Sequence, residues 1–167
     1  MLRCVLACLD VAYRPEPVAA CLFFAGWGDA APASERVVRL MVTEPYVPGE
    51  FFRRELPALL RALEDAPPLE AVMVDGYAWL GEGRPGLGAR LHEALGGKVP
   101  VIGVAKTPFK SAEDVAVPVL RGGSGRPLWV TAAGMDAALA AERVRSMHGE
   151  HRLPTLLKRV DQLCRTG

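Results

Sequence analysis

Three carboxylates stand where a plain hydrophobic core would carry apolar residues. Asp10 ends the run Val5-Leu6-Ala7-Cys8-Leu9, and Asp75 ends Ala71-Val72-Met73-Val74 just before Gly76. Glu55 lies three residues after Phe52 and four before Leu59, on the same side of a helix as both. An ionised carboxylate near a core costs on the order of several kcal/mol unless a cation or hydrogen bonds compensate. Two aspartates at strand ends and a glutamate on a covering helix can converge where α/β sheets gather their sites. Their mutual repulsion then demands a counter-ion. Mg²⁺ is the natural one, with Mn²⁺ as a substitute, because its ligands are oxygens and it keeps waters free for chemistry. Such a site suits phosphodiester hydrolysis. Taken singly, each acid has a plainer reading. An aspartate often terminates an element as a turn or cap residue, and Glu55 can reach toward Arg54 or solvent.

The elements that must position these acids are readable in outline. Residues 4–10, 18–24 and 36–43 are short apolar runs, linked by Tyr13-Arg14-Pro15-Glu16-Pro17 and by a Gly/Ala/Pro-rich stretch over 26–34. This predicts three strands in an antiparallel meander. Phe52, Leu56, Leu59, Leu60 and Leu63 recur at helical spacing, bounded by Pro48-Gly49 and by Asp65-Ala66-Pro67-Pro68. Residues 71–74 and 99–105 predict strands around a helix over 86–95, which implies parallel pairing. Further strands are expected over 115–120, at an edge because of Pro118, and over 128–131. Helices are expected over 135–147 and 156–164, with Asp136 reading as a cap of the first. The expected fold class is α/β: a mixed sheet, antiparallel first and parallel second, flanked by helices, with residues 1–167 as one domain.

Composition narrows the class further. The chain has 167 residues, half of them hydrophobic, enough for a substantial core. A net charge of +1 does not by itself point to nucleic acid. Residues 121–167, however, hold eight basic against four acidic residues, a net +4 that leaves −3 for the rest. A local basic face can hold phosphate, although a solvated helical surface is the commoner meaning of such charge. Cys4, Cys8, Cys21 and Cys164 show no C-x-x-C spacing, and His92, His148 and His151 form no ligand pattern with them, so zinc is not expected. Cys4, Cys8 and Cys21 lie in apolar runs and read as small hydrophobes. With no leader-like start and no apolar stretch near ~18 residues, the expectation is a cytoplasmic protein with no membrane segment, acting as a monomer.

The motifs resemble those of a known family. Pro45-Tyr46-Val47-Pro48-Gly49, followed by Phe52-Arg53-Arg54-Glu55, resembles the endonuclease V signature, a Pro-Tyr-Ile-Pro-Gly loop leading into a helix with a metal-binding glutamate. Val74-Asp75-Gly76 is similar to its second block, a strand ending in a metal-binding Asp-Gly. Pro100-Val101-Ile102-Gly103-Val104-Ala105-Lys106 is similar to its third, which ends in an active-site lysine. Leu9-Asp10-Val11 resembles the first strand, and Arg152-Leu153-Pro154 with residues 157–163 the closing helix. The match runs in order over almost the whole chain.

That resemblance implies a ribonuclease-H-like fold and a nuclease acting on nucleic acid that contains deaminated purine, inosine or deoxyinosine, in DNA or RNA. It implies that Asp10, Glu55 and Asp75 hold Mg²⁺ or Mn²⁺, and that Lys106 neutralises a phosphate oxygen or orients the attacking water. The products would be a 3′-hydroxyl and a 5′-phosphate, as in DNA repair. Tyr46, with Val47 and Pro48, would be a stiff wedge filling the gap left by an extruded base. Gly49, Gly76 and Gly103 would allow close approach to that base. Two histidine-bearing segments of the family have no counterpart. Tyr77-Ala78-Trp79-Leu80-Gly81-Glu82-Gly83 carries none, nor does Trp129-Val130-Thr131-Ala132-Ala133-Gly134. Two other readings therefore stay open: a non-catalytic nucleic-acid-binding relative, and a ribonuclease-H-like nuclease of different specificity.

Overall fold

The structure is a computed structural model that describes residues 3–41, 47–48 and 52–167. Tyr46 and Gly49, both expected at the nucleic-acid interface, lie outside the described residues.

β1 (Val5–Tyr13), β2 (Pro17–Phe24) and β3 (Ser34–Arg39) form the expected antiparallel meander, with Asp10 opposite Ala20. β2 is buried along its whole length, as a strand covered on both faces must be. The helix α1 (Phe52–Ala62) leads back to β4 (Leu69–Asp75), which pairs parallel with β1. A small hairpin follows, β5 (Trp79–Gly81) with β6 (Arg84–Pro85), then α2 (Leu87–Ala94) and β7 (Val101–Ala105), parallel to β4.

Beyond β7 the sheet becomes antiparallel again. β8 (Val117–Val119) pairs with β9 (Leu128–Ala133), and β9 pairs with β7, giving the order β3-β2-β1-β4-β7-β9-β8. β9 fits between β7 and β8 and runs antiparallel to both, so β8 runs parallel to β7 one strand removed. Pro118 sits in the edge strand, as expected.

The strand period of two sorts the core into two faces. Leu6 and Cys8 of β1, Met73 of β4, and Ile102 and Val104 of β7 pack toward α3 (Ala137–Ser146) and α4 (Thr155–Thr166). Ala7 and Leu9, Val72 and Val74, and Val101 pack toward α1 and α2. Asp136 caps α3, its side chain accepting from the Leu139 N–H at 3.3 Å. The segment between α3 and α4 is gathered by buried Arg121, whose guanidinium donates to the carbonyls of Met147, Gly149, His151 and Arg152. Among the described residues, no helix is long and apolar enough to cross a membrane.

Candidate functional site

The ends of β1, β4 and β7 build the site. Leu9 is in register with Val74, so Asp10 and Asp75 come next on adjacent parallel strands. Both continue the series that faces α3 and α4, and Lys106 continues Ile102 and Val104 on the same side. The three side chains border a recess closed by Leu157 and Val160 of α4. Asp10 is 8% exposed and accepts the Val11 N–H at 2.8 Å.

α4 adds a carboxylate that sequence reasoning missed. Asp161 is hydrogen-bonded to Asp10, and the Lys106 ammonium lies 3.8 Å from both Asp161 Oδ1 and Asp75 Oδ2. Arg165 Nε donates to Asp161 Oδ1 at 3.1 Å. Among the described residues, one group has ligand atoms all within 4.8 Å of one another: Asp10, Asp161 and Cys164. Glu55 and Asp75 stand outside this tightest group. The signal for Asp161 was present. It lies four residues after buried Leu157 and three before buried Cys164, the same spacing test that singled out Glu55. Among the basic residues of 121–167, however, a single acid reads as charge balance.

Glu55 arrives by another route. Its helix covers the face opposite α4, so its carboxylate approaches from the α1 side. The Tyr13 hydroxyl donates to Glu55 Oε1 at 3.5 Å, and the Arg54 guanidinium lies 4.8 Å from the centre of the Tyr13 ring.

The electrostatics show a site short of positive charge. Burial, then the Asp75 charge and the bond to Asp161, push the Asp10 carboxyl up to about 7. Burial and Asp75 push Glu55 up to about 7 as well. Asp75 is raised by burial against the pull of Lys106. Burial would raise Asp161 too, but its bond to Asp10, together with Lys106 and Arg165, holds it below the usual carboxylate range. Asp10, Asp75 and Asp161 thus face Lys106 and Arg165, Glu55 faces Arg54, and the charged forms of Asp10 and Glu55 stay disfavoured. A divalent cation would remove that conflict. The oxygen donors suit hard Mg²⁺ or Mn²⁺. Cys164 does not join them readily, because burial and the charges of Asp10 and Asp161 push its thiol up to about 12.

Of the glycines expected near a bound base, Gly76 and Gly103 lie among the described residues. Gly76 follows Asp75 with φ +104°, a conformation that side chains rarely adopt. Gly103 is needed for close approach: a Cβ there would lie 2.4 Å from the Ala78 nitrogen and 2.6 Å from the Gly76 carbonyl oxygen. The segment crossing over Gly103 is strapped to β9, with the Ala78 N–H donating to Thr131 Oγ1 at 2.7 Å and Trp79 Nε1 to the Ala132 carbonyl at 2.9 Å. Gly103→Ala is expected to destabilise the fold by about 1–3 kcal/mol, the usual scale of overpacking; urea denaturation measures it, and an unchanged midpoint would show that the segment has slack. Val47 and Pro48 are both exposed.

Comparison with known proteins supplies the family context. Residues 2–146 match the family model described as Endonuclease V. The chain is 33% identical to an endonuclease V of Streptomyces coelicolor, over 95% of this chain and 77% of that protein. It is 34% identical to one from Streptomyces avermitilis, over 74% of this chain and 62% of the relative. The crystal structure of the Streptomyces avermitilis endonuclease V superposes with a TM-score of 0.79 at 32% identity, covering 98% of this chain and 80% of that one. The Ciona intestinalis endonuclease V, solved with DNA containing an inosine, superposes at 0.78 with 18% identity, over 96% of this chain and 83% of that one. The fold is ribonuclease-H-like, as expected.

Proposed function

The chain belongs to the endonuclease V family, and we propose that it is a metal-dependent endonuclease cleaving a phosphodiester near inosine or deoxyinosine, leaving a 3′-hydroxyl and a 5′-phosphate. The observation that carries this reading is the gathering of Asp10, Asp75 and Asp161 around the Lys106 ammonium, with Glu55 coupled to Asp75 from the other side. The inosine-containing DNA bound by the Ciona relative supports the substrate.

Asp10, Glu55, Asp75 and Asp161 would hold Mg²⁺ or Mn²⁺. When bound, the metal supplies activation of the attacking water and neutralisation of charge on the phosphorus oxygens. Asp10 and Glu55, both held up near 7, would have to be ionised to serve as its ligands. Lys106, 3.8 Å from Asp75 and from Asp161, would neutralise a phosphate oxygen or orient the attacking water. Leu157 and Val160 wall the recess with apolar surface, which strengthens each charge interaction inside it. Tyr46, Val47 and Pro48 would form the wedge, while Gly49, Gly76 and Gly103 let backbone approach an extruded base.

The test is a labelled inosine oligonucleotide, in DNA and RNA versions, with Mg²⁺, Mn²⁺ or EDTA. Cleavage that needs the metal and the inosine is expected. Metal-dependent cleavage of inosine and adenine strands alike would point to a nuclease of different specificity. Binding without cleavage would favour the non-catalytic relative, a reading motivated by the histidine-free segment over residues 77–83.

Tyr46→Ala is expected to weaken discrimination between inosine and adenine strands more than general affinity. Phosphate contacts dominate general affinity, whereas base stacking on an aromatic ring contributes about 1–3 kcal/mol. Titration in Ca²⁺, which replaces Mg²⁺ to suppress cleavage, reads both; equal losses for the two strands would make Tyr46 a generic contact.

A further inference from the structure

Lys106 sits one residue past the end of β7, where the β7–β9 ladder stops at Ala105 opposite Trp129. Its backbone carbonyl is taken up by a side chain instead. Arg152 Nη2 donates to the Lys106 carbonyl oxygen and, at 2.9 Å, to the Pro127 carbonyl oxygen, while its Nε donates to the Arg126 carbonyl oxygen at 2.8 Å. Pro127 has no N–H of its own to offer the neighbouring strand. One planar guanidinium therefore joins the end of β7 to the start of β9 through three carbonyls.

Arg152 is itself held. The carbonyls of Met147, Gly149, His151 and Arg152 all accept from buried Arg121, which fixes the segment from which Arg152 reaches. That segment runs directly into α4, the helix that carries Asp161. The Lys106 ammonium lies at equal distance, 3.8 Å, from Asp161 on this helix and from Asp75 on β4. Placing it between two acids on different elements requires the Lys106 backbone to be fixed relative to both. The strand ladder secures it against β4, and Arg152 secures it against the entry to α4.

We propose that Arg152 is a positioning residue for Lys106, holding its backbone so that the ammonium lies between Asp75 and Asp161. The proposal rests on the reading above that Lys106 serves phosphodiester cleavage. Arg152 touches neither substrate nor metal in this role. Its effect on cleavage passes through the Lys106 carbonyl, while its bonds to the Arg126 and Pro127 carbonyls anchor the guanidinium, so that effect should fall away when the lysine side chain is gone.

A double-mutant cycle tests this with Arg152→Ala, Lys106→Ala and the double variant, by steady-state cleavage of an inosine strand in saturating Mg²⁺. Arg152→Ala is expected to lower kcat roughly 10- to 100-fold, the scale of a small misplacement of a catalytic group, with KM changed less than about twofold. In the Lys106→Ala background the same substitution should cost less than about twofold. An equal loss in both backgrounds, or a rise in KM alone, would overturn the proposal. Arg152→Lys keeps the charge but cannot span the three carbonyls; it should show the same loss and the same dependence on Lys106. It carries the cycle if circular dichroism shows that Arg152→Ala does not fold. If the wild-type protein cleaves no inosine strand, the functional reading fails, and NMR decides the positioning role on its own. The Lys106 ε-methylene resonance should then move toward that of a free lysine in either Arg152 variant, and an unmoved resonance would refute it.

Discussion

Asp75→Asn is expected to remove Mg²⁺-dependent cleavage of an inosine strand while leaving the fold intact. An amide cannot supply the anionic oxygen that a hard cation prefers. Loss of a partner that merely supports a metal ligand already costs about 10–100-fold, so loss of a ligand should exceed 100-fold. Asp75 also sits at the centre of the charge network. It raises both Asp10 and Glu55, and it is one of the two acids next to Lys106. Removing its charge lets Asp10 and Glu55 ionise more easily, so repulsion in the metal-free protein falls and folding does not suffer. Single-turnover cleavage and circular dichroism on the purified variant separate the two effects. An unchanged rate would take Asp75 out of the mechanism.

The strand-end acids were legible for a physical reason. β1 and β4 are buried on both faces, so they read as unbroken apolar runs, and an acid closing such a run is conspicuous. Lys106 entered through the resemblance alone, because a lysine past a strand end is ordinarily exposed and gives no such contrast. Glu55 was legible as a residue on the apolar side of its helix. What periodicity does not carry is topology: it cannot tell that α1 lies across the sheet from α4. Asp161 was obscured because it sits among basic residues, where an acid reads as charge balance; only the packing of α4 against β1 brings it onto Asp10. The β5–β6 hairpin was invisible because strands of three and two residues are too short for a period to show. The insertion of β9 between β7 and β8 was not legible, because periodicity gives strands but not their order in the sheet.

Asp10→Asn is expected to stabilise the metal-free protein above neutral pH while removing activity. Asp10 has its carboxyl pushed up to about 7 from 3.8, by burial first and then by Asp75 and Asp161. Below about pH 4 the group is protonated folded and unfolded alike, and it has no effect on stability. As pH rises the unfolded chain ionises first, while the folded protein keeps the proton until about 7. Stability is therefore lost progressively across that window and the loss is complete above it. The difference is on the order of a few kcal/mol at the top of the window. An asparagine has no proton to lose and can still accept the Val11 N–H, so this contribution to the decline disappears. In EDTA, the melting temperatures of wild type and variant should agree near pH 4 and diverge by pH 8, with the variant higher. Mg²⁺ should narrow the gap at pH 8, because it stabilises the wild type by binding where the proton was. It should do little at pH 4, where it would have to displace that proton. A variant that melts below the wild type at pH 8 in EDTA would mean that the Asp10 carboxylate is already compensated by Lys106 and its neighbours, and that the recess has no unmet demand for a cation.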